Sequence, residues 1–476
     1  MPTECNTDRL AFQPLGRREV VGAFDGGTIT SDAGGLLLRE VEQRTGILRQ
    51  FAACFVDHRD PELVEHTVQE LVSQRIYGLA LGYEDLNDHD QLRRDPLLAT
   101  LVGKEDPTGQ DRTRTRDRGK PLAGKSTLNR LELTPVRADA RSRYKKITAD
   151  VQGIERLFVE LFLQAHPQPP ERIVLDFDAT DDPVHGNQLG RFFHGYYQEY
   201  CFLPLYLFCG DELLGAWLRP ADIDGAAGSL KKLMAIVRRI REAWPHVKIV
   251  VRGDSGFCRE PLMRWCEENN VDYVFGLAKN RRLEAELQGE LAQAKQLHQA
   301  TGHAARVFKD FSYQTLSSWS RLRRVAGKAE HLDKGANPRF VVTSLPAESY
   351  DAKTLYEVEY CGRGEMENRI KEQQRFLFAD RTSASTMRAN QLRLWFSSVA
   401  YVLLQTLRRE GLQGTPMAQA QCDTIRLKLL KIGAQIRVTV RKVWVALAEG
   451  CPYEGVFRQV YQNLLAMRPT WVPCRC

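Results

Sequence analysis

Between Arg172 and Leu277 the chain alternates short aliphatic runs with one-faced helical stretches, and two of those runs end on a carboxylate. Ile173-Val-Leu-Asp-Phe-Asp178 reads as a strand, followed by the turn-rich Asp181-Asp-Pro-Val-His-Gly-Asn187. Tyr200 to Phe208 and Leu213 to Leu218 read as two more strands, joined around Gly210-Asp211. Leu230, Leu233, Met234, Val237 and Ile240 share one face of a helix from Ala226 to Trp244. Lys248 to Arg252 is then a strand, Glu260 to Asn269 a helix, and Asp272 to Leu277 a strand. This order predicts a mixed sheet whose later strands need crossover helices. Open sheets of this kind carry their sites beyond the carboxyl ends of strands, where Asp178 and Asp254 both fall. Either aspartate alone reads as a turn former or helix cap; two together point to a shared site. Asp176 competes with Asp178, because both project to one side of the pleat. Asp178 is preferred, being closer to the strand end and followed by Thr180.

A third carboxylate, Glu367, lies in Tyr360-Cys-Gly-Arg363-Gly-Glu-Met-Glu367-Asn-Arg-Ile-Lys371. On a helix, Tyr360, Arg363, Glu367, Lys371 and Gln374 fall on one stripe, which is equally the pattern of an exposed ion-pair ladder. Gly362 and Gly364 are expected to delay the helix start. Hard divalent cations take oxygen ligands, and two ions about 4 Å apart clamp the attacking and leaving oxygens of a phosphodiester. Three such carboxylates brought together make a nuclease or strand-transfer centre.

The 476 residues carry a formal charge of +7, and the positive charge is clustered. Asp111 to Lys146 holds twelve Lys/Arg against four acids, and Arg426 to Lys442 holds six bases and no acid. Such stripes suit a polyanion, and make Arg112, Arg114, Arg116, Lys120 and Lys125 candidate DNA contacts. Gly119-Lys-Pro-Leu-Ala-Gly124-Lys125-Ser126 fits a phosphate-loop pattern. However, Arg112-Thr-Arg-Thr-Arg-Asp-Arg118 before it is no buried strand, so nucleotide binding is not expected. Eleven cysteines without a C-x-x-C pair argue for reduced thiols, and Cys474-Arg-Cys476 is too tight for a zinc half-site. No run approaches membrane-spanning length, so a cytoplasmic, nucleoid-associated protein is expected.

The segments Asp178-Ala-Thr, Arg252-Gly-Asp254-Ser-Gly-Phe257 and Tyr360-x-x-Arg363-x-x-x-Glu367 resemble the DDE transposases of bacterial insertion sequences, within them the IS1380 group of the IS4-like superfamily. The resemblance extends to Phe24-Asp-Gly-Gly, Gly82-Tyr-Glu-Asp-Leu-Asn-Asp-His89, Leu128-Asn-Arg-Leu-Glu132, Tyr273-Val-Phe-Gly-Leu-Ala-Lys-Asn280 and Asn390-Gln-Leu-Arg393-Leu, nearly the whole chain. It implies an α/β, ribonuclease H-like mixed-sheet catalytic core with an inserted, largely β subdomain. It implies two Mg²⁺ ions, with Mn²⁺ as a substitute, held by the catalytic residues Asp178, Asp254 and Glu367. It also implies that Tyr360 and Arg363 contact the DNA end. The signature expects Lys seven positions after the Glu; Gln374 stands there, and Lys371 lies one turn away.

The expected layout is a helical DNA-binding region over 1–165, core over 166–280, insertion over 281–355, core with the Glu helix over 356–410, and a basic, helical C-terminal region over 411–476. In the first region Asp60-Pro61-Glu62 predicts a helix start. The expected function is Mg²⁺-dependent cleavage at terminal inverted repeats of double-stranded DNA and strand transfer of the 3′-OH ends, by a homodimer or larger assembly. A catalytically silent DNA-binding repressor and a structure-specific nuclease are the alternatives.

Overall fold

The computed structural model describes residues 9–469, so Cys474 and Cys476 lie outside the described residues. The chain divides into two compact units. One comprises Met1–Ala52, Arg59–Leu131 and Thr406–Cys476; the other comprises Ala53–His58 and Glu132–Gln405.

The second unit is built on a nine-stranded mixed sheet. From one edge its strands run Glu212–Trp217, Leu205–Cys209, Arg172–Ala179, Lys248–Gly253, Asp272–Leu277, Arg339–Thr343, Arg323–Leu332 and Ala305–Tyr313, with Gly335–Ala336 beside the Arg323–Leu332 strand. Only the pairs joining Arg172–Ala179, Lys248–Gly253 and Asp272–Leu277 are parallel, and the intervening helices Ser229–Ala243 and Glu260–Glu268 provide the crossovers. Gly210, at φ 57°, closes the hairpin between Leu205–Cys209 and Glu212–Trp217. The 281–354 segment adds three helices and four strands. Those strands continue the central sheet through the antiparallel pairing of Asp272–Leu277 with Arg339–Thr343, rather than forming a sheet of their own.

Period-two alternation gives the central strands two packed faces. Ile173, Leu175, Phe177, Ile249, Val251, Tyr273 and Phe275 pack with Leu233, Val237 and Ile240 of the crossover helix. Val250, Val274 and Val341 face the other way, onto Leu355 and Tyr356, with Val174 and Tyr360 packed beside them. The pleat therefore sends Asp176, Asp178, Arg252 and Asp254 toward the face that carries the Glu367 helix. That helical run is continuous from Ala352 to Phe376, passing from α through π and 3₁₀ turns and back. Gly362 and Gly364 do not delay it.

The first unit holds the helices Gly35–Thr45, Val68–Leu81 and Pro96–Val102 and a three-stranded sheet of Ile29–Thr30, Ala434–Val438 and Val443–Leu447. Around Asp60 the expected helix is only a 3₁₀ turn; the long helix starts at Val68, where Thr67 and Glu70 form a reciprocal capping box. The C-terminal region departs further from its helical expectation. Cys422–Ile425 and Arg426–Leu430 form one short helix and Glu454–Ala466 a longer one, but the rest of the basic stripe between them is a hairpin. Ile436, Val438, Val443 and Val445 are β-branched and alternate with polar or aromatic neighbours, a period that suits a pleat and not a helix. No helix among the described residues is long and apolar enough to cross a membrane. The eight cysteines among them are free thiols.

Candidate active site

The parallel register pairs Arg252 with Asp176. Two residues further along each strand, Asp178 and Asp254 sit side by side on neighbouring strands, which are about 4.8 Å apart. Both line one cleft of about 710 Å³ together with Thr180, Arg363, Glu367, Lys371 and Gln374. Sheet and helix thus bring Asp178, Asp254 and Glu367 together.

The two aspartates of the first strand have different fates. Asp176 is buried and accepts two hydrogen bonds from Arg252, Nε to Oδ1 at 2.6 Å and Nη2 to Oδ2 at 2.7 Å. The same guanidinium donates to the Glu359 carbonyl at 2.6 Å. Asp176 is therefore committed to holding the sheet to the helix, and Asp178 alone is open to the cleft. Asp254 caps the 3₁₀ turn Ser255–Phe257, its Oδ1 accepting from the Gly256 N–H at 2.8 Å. The bland reading of that residue is correct as far as it goes. The cap also fixes the carboxylate, with one oxygen tied to the backbone.

Arg363 lies among the acids, 2.8 Å from Glu367 Oε1 and 3.6 Å from Asp178 Oδ2. Burial works against its charge, but Asp178 and Glu367 raise its pKa above the ordinary value. Burial also pushes the Asp178 carboxyl up to about 7; Arg363 pulls it down, while the charges of Asp254 and Glu367 raise it. Tyr360, whose phenol burial likewise raises, packs beside the Asp254 turn. Gln374 donates to the Asp181 carbonyl at 2.9 Å, so it tethers the loop after the Asp178 strand. Lys371 is exposed on the cleft wall.

Three carboxylates fit a hard divalent cation in kind, and the Asp178 carboxyl is raised first by its burial and further by the charges of Asp254 and Glu367. Among the described residues no three His, Cys, Asp or Glu side chains are gathered closely enough to cage an ion as they stand. Glu367 is turned to Arg363, and this pairing has to be exchanged for Glu367 to become a ligand.

Raised Asp178 has a consequence for the metal-free protein. Above the unfolded pKa of about 3.9, the unfolded chain releases a proton that the folded state keeps up to pH about 7. Stability therefore falls as pH rises through that window. Asp178→Asn removes the penalty. In EDTA its melting temperature should exceed that of wild type by more at pH 8 than at pH 5, with an upper bound of about 4 kcal/mol. An equal gain at both pH values would refute this.

The glycine that makes room for the site was not singled out in the sequence. A Cβ on Gly276 would lie 2.6 Å from the Tyr360 hydroxyl, 2.9 Å from the Ser255 nitrogen and 3.2 Å from the Asp254 carbonyl carbon. Gly276→Ala must displace the Asp254 turn, and a shift of that order costs about 10–100-fold in rate. Cleavage should fall by that factor while stability falls by no more than about 3 kcal/mol. Unchanged cleavage would show that the turn has slack.

The basic-loop candidates belong to the other unit, and most are engaged there. Arg112 pairs with Glu65 at 2.9 Å and donates to the Lys120 carbonyl. Lys120 donates to the Arg116 carbonyl, and Lys125 pairs with Asp90 at 3.4 Å. Arg114 and Arg116 are exposed. A 3₁₀ turn, Thr115–Asp117, and no strand precedes Gly119, so the phosphate-loop pattern lacks its context.

A family model described as transposase DDE domain group 1 matches residues 12–469. The chain belongs to the DDE transposase family. The transposase is thus an enzyme of DNA transposition, with endonuclease and transesterification chemistry, in a family that generally uses divalent metals. Among solved structures, a cryo-EM structure of the piggyBac transposase synaptic complex with hairpin DNA is similar at 10% identity. That match covers 93% of this chain and 87% of the other, with a TM-score of 0.40. No curated protein gives a significant match.

Proposed function

We propose that this transposase cuts double-stranded DNA at the terminal inverted repeats of an IS1380-type element and transfers the freed 3′-OH ends into target DNA, as a homodimer or larger assembly. The reading assigns a ribonuclease H-like role to the central sheet, with Asp178, Asp254 and Glu367 as the catalytic carboxylates holding two Mg²⁺ ions. Its support is the shared cleft of those three side chains, reached from two adjacent strand ends and one overlying helix.

Bound there, the metal supplies Lewis-acid charge to the scissile phosphate. The chain's own residues do the rest. The Asp254 cap holds one ligand still. Asp178, with Arg363 near it, keeps a carboxylate at the strand end. Arg363, once its hold on Glu367 is released, is free to pair with a phosphate at the DNA end, and Tyr360 positions the turn beneath it. Lys371, on the cleft wall, is placed to take the signature lysine's part, since Gln374 is bound to the Asp181 carbonyl.

Incubation of the full chain with duplexes carrying the repeats that flank its gene, and Mg²⁺, tests the reading. Nicks at the repeat boundary with 3′-OH ends, followed by joined products, are expected. Cutting without joining would favour a structure-specific nuclease, and binding without cutting a silent DNA-binding protein.

A further inference from the structure

The hairpin of Ala434–Val438 and Val443–Leu447 has two unlike faces. Ala434 and Ile436 are buried on the inner one. On the outer one Arg437 stands directly opposite Trp444, and Lys442 follows opposite Thr439, which closes the turn through a 2.8 Å N–H bond to the Lys442 carbonyl. The Arg437 guanidinium lies 5.8 Å and the Lys442 ammonium 5.1 Å from the centre of the Trp444 ring. Trp444 is half exposed, and Val440 at the tip, next to Arg441, is fully exposed.

The charges of this ribbon differ from a number of others in the protein. Arg112, Lys125 and Lys431 of the same unit each have a carboxylate partner, as do Arg252, Arg323, Arg369 and Arg393 of the other. Arg437, Arg441 and Lys442 have none among the described residues. No acid lies between Arg426 and Lys442. Cation–π contact at an exposed site is weak, so it leaves these charges available. The ribbon is anchored by one short pairing, Ala434 and Gln435 with Thr30 and Ile29, and its Val443–Leu447 strand is a sheet edge. A two-stranded ribbon with unpaired cations, an aromatic and an apolar tip suits the groove and backbone of a duplex. It suits an acidic protein surface less well, since it offers few neutral hydrogen-bonding side chains.

We infer that the 434–447 ribbon is a DNA-docking element of this transposase, with Arg437, Arg441 and Lys442 on phosphates and Trp444 packed against the backbone or groove wall. The inference rests on the chain acting on duplex DNA and adds where, outside the catalytic cleft, the duplex is gripped.

The test is fluorescence anisotropy of the full chain on a 30-bp duplex, titrated between 50 and 200 mM NaCl. Each phosphate contact contributes about 0.9 to the slope of log affinity against log salt. Arg437→Gln/Arg441→Gln/Lys442→Gln should lower that slope by about two to three and weaken binding at least about tenfold at 50 mM. Lys231→Gln/Arg238→Gln/Lys295→Gln, which removes three other exposed cations for the same net charge, should change neither. Arg437→Lys/Arg441→Lys should keep the slope, excluding a folding defect. An unchanged slope in the ribbon variant, or an equal drop in both triple-Gln variants, overturns the inference and leaves the catalytic reading standing. So does retained DNA binding with conversion of an oligomer to a monomer, which would make the ribbon a subunit contact. A wild-type chain that binds no duplex overturns both.

Discussion

Asp254→Asn should cleave a terminal-repeat duplex at least about 10³-fold more slowly than wild type, with duplex affinity and melting temperature unchanged. The choice of asparagine matters. Asp254 does two things in the structure: it caps the Ser255–Phe257 turn and it faces the cleft beside Asp178. Asparagine is as good a cap as aspartate, so the turn, and with it the Tyr360 packing, survives. Only the charge is lost. A ligand carboxylate is worth several kcal/mol of transition-state stabilisation through the metal it holds, and each 1.36 kcal/mol is tenfold in rate. Asp254→Ala removes cap and charge together, and is expected to show the same loss of cleavage with about 1 kcal/mol of added instability. If the asparagine variant cuts within tenfold of wild type, Asp254 is a cap and nothing more. The three-carboxylate reading would then fail, whatever the DNA affinity.

The strand ends were legible in the sequence because alternation and turn residues are local. Ile173 to Asp178 and Lys248 to Asp254 announce both their burial and their direction, and the two aspartates follow from that. What the sequence left open was settled by partners distant along the chain. Asp176 and Asp178 share a pleat face, and only the arrival of Arg252 from the neighbouring strand distinguishes them. Arg112 and Lys125 look like free cations until Glu65 and Asp90 are brought beside them. The C-terminal stripe misled for another reason. Its leucines before Ile432 do follow a helical step, but the period changes to two at Gly433, so the stripe spans two kinds of element. Gly276 left no local signal. Its need arises from the Asp254 turn and Tyr360 crossing over it, a close approach that exists only in the folded sheet.

Arg252→Ala should destabilise the catalytic unit by about 3–5 kcal/mol, the cost of leaving a buried carboxylate without its partner. Asp176 is buried, and its pKa is already raised by burial against the pull of Arg252. Without the guanidinium it rises further, because desolvation then acts unopposed. The folded state keeps its proton to a higher pH than the unfolded chain does, so the loss should be larger at pH 8 than at pH 5. At roughly 2–4 °C per kcal/mol for a unit of this size, the melting temperature should drop by about 6–20 °C. Arg252→Lys should recover little, since one ammonium cannot make both bonds to Asp176 and a third to the Glu359 carbonyl. The paired measurement separates the two aspartates of one strand. Asp176→Asn should lower the melting temperature in parallel with Arg252→Ala, and combining the two changes should cost less than their sum. Asp178→Asn should raise the melting temperature and abolish cleavage. If Asp176→Asn instead left stability intact and abolished metal-dependent cleavage, the metal-facing carboxylate would have been assigned to the wrong rung of the pleat.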